Sequence, residues 1–241
     1  MKRLIPFLLC AAFGLALCAC EDFPLPFGPE EENVEVKIDG NTLYYGDYYY
    51  TFTETDTKAT LQFSHFPGSQ KEFELLQKHL LGPSKPGALA LTLLSFEMYR
   101  RDRNTGSACI RACMESSYAA SAISQLSQKF PKNRSDINTG DSYLQPYLIA
   151  ACLNGATTDN LYQPLRPYKL EIFLDDSSYA NQGERTNVLN GYVYHYYVMR
   201  NAKKCSASVL VPDDEPYVRG HNLSNFTMAV PSIKTWDDTL K

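Results

Sequence analysis

Hydrophobic and polar residues alternate from Val34 through Glu35, Val36, Lys37 and Ile38, and Asp39-Gly40 then supplies a turn before Leu43-Tyr44-Tyr45. Period-two alternation on both sides of an Asp-Gly pair is the pattern of a β-hairpin. Two further strands are expected over residues 48–53 and 59–63. The period then changes. Ser69, with Glu72 three residues later, forms a capping box for a helix expected to run through His79 and to stop before Gly82-Pro83. Pro86 suits the first turn of a longer helix reaching about Arg103, with Leu89, Leu93, Phe96 and Arg100 on one stripe. The alternation of Leu89, Leu91 and Leu93 also fits a strand, but the length of the run favours helix.

Asn104-Thr105-Gly106 reads as a break, and a helix is expected over residues 107–130. Its buried face would carry Cys109, Cys113, Ala120, Ile123, Leu126 and Phe130, with a possible interruption at Ser116-Ser117 and a stop at Pro131. Another helix over residues 141–153 would group Leu144, Leu148 and Cys152, with Asn154-Gly155 as its left-handed stop. Four strands are then expected over residues 168–174, 191–199, 205–211 and 226–230. Segregation of strands from helices points to an α+β fold with an N-terminal β-hairpin region, a helical middle and a C-terminal antiparallel sheet. These would form a single α+β domain over residues 34–241, β-rich over 34–66, helical over 69–153 and sheet-forming over 168–231.

The first residues follow a different pattern. Met1-Lys2-Arg3 is positive, and residues 4–16 are apolar apart from Pro6 and Gly14, too short a run for a membrane span. Residues 1–19 therefore read as a signal peptide. Leu17-Cys18-Ala19-Cys20 resembles the lipobox of bacterial lipoproteins, which implies that Cys20 is acylated on sulfur and, after cleavage, on its new amino terminus. Cys18 fits less well because Leu17 precedes it, and Cys10 would leave too short an apolar region. Behind Cys20, Pro24, Pro26, Pro29 and five acids favour an extended acidic tether over residues 20–33. The expected partner is a lipid bilayer, reached through acylated Cys20, and the expected location is the cell envelope. An outer membrane is favoured, with the periplasmic and surface faces both open.

Composition and charge narrow the rest. With 241 residues, 44% hydrophobic and 21% charged, the chain can bury a sizeable core, so disorder throughout is excluded. After residue 20 no apolar run approaches the roughly 20 residues that span a bilayer. A net charge of −4 and the lack of a basic cluster argue against a nucleic-acid partner, because phosphate neutralisation supplies most of that affinity. Arg100-Arg101-Asp102-Arg103 and Lys203-Lys204 are short solvated runs.

The segment Asn154-Gly155-Ala156-Thr157-Thr158-Asp159-Asn160-Leu161-Tyr162-Gln163-Pro164-Leu165-Arg166-Pro167-Tyr168 resembles a bacterial domain family of unknown function found in secreted, lipid-anchored and zinc-ribbon-bearing proteins. The shared signature is Asn-Gly-Ala-Thr, then Asn-x-Tyr-x-Pro, then Pro-Tyr entering a strand. The resemblance covers roughly residues 85–231 and implies a fold rather than an activity. Two departures stand out: Arg200-Asn201-Ala202-Lys203-Lys204 replaces the family's Arg-x-x-Gly-Ala-Asp-like turn, and no Cys-x-x-Cys pair occurs. Nothing about a metal carries over.

Candidate chemistry is sparse. Cys109, Cys113, Cys152 and Cys205 sit on apolar faces as small buried thiols or, in an oxidising compartment, as one disulfide of open pairing. His65, His79, His195 and His221 form no metal-ligating spacing, so no metal and no cofactor are expected. Asp213, Glu215 and His221 are the only acid–base candidates, placed in what otherwise reads as a solvated loop. The 17 tyrosines include Tyr48 with Tyr50, and Tyr192 with Tyr194, each pair on one strand face. Exposed, they would stack on a sugar or form a protein-binding patch; half-buried, they are ordinary sheet residues. The reading is an envelope lipoprotein acting as a binding module for a glycan or protein. An envelope hydrolase using the acidic/His site, or a structural envelope component, are its alternatives.

Overall fold

The computed structural model describes residues 34–129, 149–157, 159–160, 162–175, 183–200 and 202–227. Residues from Glu35 onward form one compact unit. Alternation in the first strands resolves into β1 (Val36–Asp39), β2 (Thr42–Tyr45), β3 (Tyr48–Glu54) and β4 (Lys58–Phe63), each antiparallel to the next. The later strands are β5 (Tyr168–Leu174), β6 (Glu184–Thr186), β7 (Gly191–Arg200), β8 (Lys203–Pro212) and β9 (Arg219–Gly220).

The two strand-rich regions, far apart in the chain, join in space. β4 pairs with β5, placing Ala59 opposite Ile172, Leu61 opposite Leu170 and Phe63 opposite Tyr168. All six side chains are buried on one face, so the two period-two patterns fix the register, since a one-residue slip would turn every apolar group outward. The result is a nine-stranded sheet in the order β1-β2-β3-β4-β5-β7-β8-β9, with β6 added beside β7. At the β7–β8 turn Arg200 pairs with Lys203 and Ala202 adopts φ +59°.

Helices cover the apolar face. Ser69 accepts from Glu72 N and starts α1 (Gln70–Leu76), which continues as a π-turn, Gln77–Leu81, up to Gly82. Ser84 accepts from Gly87 N and starts α2 (Lys85–Arg101), with Pro86 in the first turn. Every residue from Pro86 to Tyr99 is buried, because α2 lies between β4, β5, β8 and β9 on one side and α3 (Arg103–Cys113) on the other. A helix enclosed on all sides needs no single apolar stripe.

Four expectations are corrected. Asn104-Thr105-Gly106 is the first turn of α3, because the Asp102 side chain accepts from Thr105 N at 2.8 Å and restarts the helix one residue after α2 ends. The helix expected over 107–130 divides at Met114–Glu115, where Glu115 N donates to Gly220 O, and resumes as α4 (Ser116–Lys129). Phe226 and Thr227 lie in a short helix, α5 (Ser224–Thr227), rather than a strand, because the Asn222 side chain accepts from Ser224 N and Thr227 Oγ1 bonds Ser224 O. Residues 228–230 of that expected strand, and 141–148 of the helix expected over 141–153, lie outside the described residues. The remainder of that helix is a single 3-10 turn, Ala150–Cys152, followed by Leu153, which bridges to Leu170.

Candidate functional site

At one end of the sheet the β3–β4 turn, the first turn of α2 and strands β5 and β7 enclose a cleft of about 440 Å³. The turn is set by Thr55, whose N–H and hydroxyl both donate to Lys58 O. It presents the carboxylates of Glu54 and Asp56 on one lip. Lys85 enters from the start of α2, and Tyr194 and Tyr196 enter from one face of β7. The volume is within the usual range for small-molecule sites.

Three of the four charged residues that line the cleft, Glu54, Asp56 and Lys85, form no ion pair with a described residue. Among the described residues no salt bridge involves Glu54, Asp56 or Lys85. The Lys85 ammonium instead lies 3.8 Å from the centre of the Tyr194 ring, a cation–π contact that leaves its charge uncompensated. Gly183, at φ +70°, packs against the same ring, and a Cβ there would stand 2.8 Å from Tyr194 Cζ. Lys85 and Gly183 thus both pack against the Tyr194 ring. Tyr196 is 6% exposed. Burial, then the Glu54 and Tyr194 charges, push its phenol well above the ordinary range, so it remains an O–H donor. Lys58, on the outer lip, is engaged elsewhere: its ammonium donates to Glu171 at 2.6 Å, and with Lys169 it holds the Glu171 carboxyl below its usual range.

The sequence-derived tyrosines do not form one ladder. Tyr48 and Tyr50 lie at the β4–β5 end marked by Phe63 and Tyr168, whereas Tyr192 and Tyr194 lie beyond Leu174 at the other. Tyr50 is completely buried, which removes its ring from any ligand. Tyr48 and Tyr192 are exposed, at 47% and 40%. Each already has a neighbour: His65 stacks on Tyr48 at 3.6 Å, and the Arg185 guanidinium lies 5.0 Å from the centre of Tyr192.

Asp213, Glu215 and His221 do not converge. Asp213 receives both bonds from Arg185 Nη1, at 2.8 and 2.7 Å, and Glu215 is paired with Arg219. His221 Nδ1 bonds Ser208 Oγ at 3.0 Å, and that hydroxyl also accepts from Asn222 N. This is the nearest arrangement to a nucleophile–base pair, yet Ser208 is 4% exposed and the adjoining cavity holds about 20 Å³, room for one water. Burial pushes the His221 ring below its ordinary pKa and a nearby histidine, His195, adds to this, against Glu115, which raises it.

All four cysteines of the folded part are free thiols. Cys109 and Cys113 are one turn apart on α3, where Cβ atoms stand about 5–6 Å apart, wider than a disulfide takes. Desolvation pushes the thiols of Cys109, Cys113 and Cys152 to about 12, 11 and 12. Among the described residues no group of three His, Cys, Asp or Glu could hold a metal. Cys20 and the tether lie outside the described residues.

The sequence pointed to the strand bearing Tyr194 but missed Glu54, Asp56 and Lys85. Lys85 showed no signal beyond the proline after it, and the acids resembled any turn. The cleft exists only because β3–β4 and β7, 140 residues apart in the chain, flank the same strand, β5.

Fold and site together define an α+β domain with helices on one face of an antiparallel sheet and a charged cleft at the sheet's end. The chain belongs to the family described as a domain of unknown function (DUF6935), whose model matches residues 65–215. The matched segment contains Lys85, Tyr194 and Tyr196 but not β3, β4 or Glu54 and Asp56, so one lip of the cleft comes from outside it. No curated protein and no solved structure matches the chain.

Proposed function

We propose that the protein is an envelope lipoprotein, anchored through Cys20, that works as a binding module and holds the end of a polar ligand, a glycan or a peptide chain, in the cleft between Glu54 and Lys85. The observation that carries this reading is the cleft itself: about 440 Å³, lined by two acids and a lysine that have no ion-pair partner among the described residues. Unpaired charges at a concave site are a standing preference for a polar ligand. A hydrolase draws less support, because Asp213 and Glu215 are each tied to an arginine and His221 faces a space too small for a substrate.

Binding is tested by presenting the purified full chain to arrayed glycans and peptides, alongside a Glu54→Gln/Asp56→Asn double variant. A ligand retained by the wild type and lost by the double variant supports the reading; equal retention by both removes the cleft from it. Anchoring is tested separately with an alkyne palmitate label. Equal labelling of the wild type and Cys20→Ala would place the lipid elsewhere or nowhere.

A further inference from the structure

The cleft is polarised. Its acidic lip carries Glu54 and Asp56, and its opposite wall carries Lys85 at the first position of the seventeen-residue helix α2, whose N-terminal end adds partial positive charge to the ammonium. Tyr194 and Tyr196, two residues apart on one face of β7, line the same cleft, their Cα atoms about 7 Å from one another. Tyr196 is more than nine-tenths buried and lines the cleft.

We infer that the cleft receives a zwitterion of amino-acid to dipeptide size, its carboxylate toward Lys85 and the start of α2, its ammonium toward Glu54 and Asp56, and its polar middle on the hydroxyls of Tyr194 and Tyr196. This rests on the cleft reading above and narrows its ligand. A neutral sugar would bond to some of these groups but would leave both poles without an opposite charge. A simple anion would meet Glu54 and Asp56 with like charge, and a simple cation would meet Lys85. Only a ligand carrying both signs satisfies both walls, and complementarity of this kind is a source of selectivity. The Lys85–Tyr194 contact fits the same role. It holds the ammonium in one place on the wall without neutralising it, as a carboxylate partner would.

Calorimetric titration of the full chain tests this with three probes: glycylglycine, its acetylated and amidated neutral counterpart, and N-acetylglucosamine. Glycylglycine is expected to bind, with the two neutral probes at least about tenfold weaker. Lys85→Met and Glu54→Gln should each weaken glycylglycine by about tenfold or more, while Lys85→Arg, which keeps the charge, should retain most of the affinity. Tyr196→Phe, a change of one oxygen, should weaken it about threefold to tenfold. A circular-dichroism melt of each variant separates loss of binding from loss of folding. If N-acetylglucosamine or the neutral dipeptide binds as well as glycylglycine, and the variants weaken it, the zwitterion is wrong and the cleft stands. If no probe binds, or binding survives Lys85→Met and Glu54→Gln together, both fall.

Discussion

The Tyr50 hydroxyl donates to Glu72 Oε1 at 2.9 Å, the same oxygen that His65 Nε2 reaches at 2.8 Å, while Gly68 N donates to Oε2 at 2.7 Å. Glu72 is 2% exposed, so this carboxylate is buried and nearly fully satisfied by a strand, a loop and its own helix start. It ties β3 to the loop that carries the chain from β4 into α1. Burial, then the Glu72 charge and hydrogen bond, drive the Tyr50 phenol well above its usual range, so it remains the donor.

Replacing Glu72 with Ala would leave the Tyr50 hydroxyl and Gly68 N–H without their acceptor. Each unmet buried donor costs about 1–3 kcal/mol, so Glu72→Ala should destabilise by about 2–4 kcal/mol. Tyr50→Phe should cost about 1–2 kcal/mol, since the carboxylate keeps its other partners. Urea unfolding of both variants and of the double variant gives the coupling between them. Additive effects would mean that the two side chains stabilise the fold independently of their contact.

The corner between α2 and α3 depends on the missing side chain of Gly106. A Cβ at that position would stand 2.1 Å from both the Cα and N of Tyr99, a collision with backbone that no rotamer change relieves. Gly106→Ala should therefore lower stability by about 3 kcal/mol or more, although alanine is the better helix former. Thermal melting checks this. A variant as stable as the wild type would mean that the two helices are further apart than described.

Gly106 also shows where sequence reasoning stops. Asn-Thr-Gly looks like a turn, and the information that makes it a helix start lies partly in Asp102, a cap visible in the sequence, and partly in Tyr99 across the corner, which is not. The longer strands were legible because each has buried positions that alternate or run together: β5 matches its expected bounds, and β7 and β8 extend theirs by one to three residues. Their joining with β1–β4 was not legible, since no local pattern says that Leu61 will face Leu170. The same limit hid the cleft. Tyr194 was singled out as a plate for a sugar, but Lys85 and Gly183 pack against its ring, and both come from segments that the periodicity of β7 cannot announce.

Helix α4 begins on a carboxylate that responds to acid. Partial burial would raise the Glu115 pKa, but bonds from the Ser117 hydroxyl and N–H, the Ser116 hydroxyl and Tyr118 N–H outweigh it and hold the group at about 2, against an ordinary 4.5. A carboxyl whose folded pKa is depressed stabilises the fold above its unfolded pKa, and that stabilisation drains as pH falls toward the folded one. Glu115→Gln should thus cost about 1 kcal/mol near pH 7, in line with loss of an N-cap at a largely exposed site. The difference from the wild type should shrink between about pH 4.5 and 2. Urea midpoints across that range decide it. A difference that is independent of pH would show that shape rather than charge makes the cap.

The four cysteines should separate by reactivity. Only the thiolate attacks iodoacetamide, and burial that lifts Cys109, Cys113 and Cys152 to about 12, 11 and 12 leaves almost none of it at pH 8. Access is closed as well, since all three are buried whereas Cys205 is half-exposed on β8. Brief labelling of the native chain, followed by peptide mass analysis, should find Cys205 modified and the other three unmodified; in denaturant all four should react. Native labelling of Cys109 or Cys113 at the rate seen in denaturant would contradict the packing of α3 against α2, because no other route exposes that face.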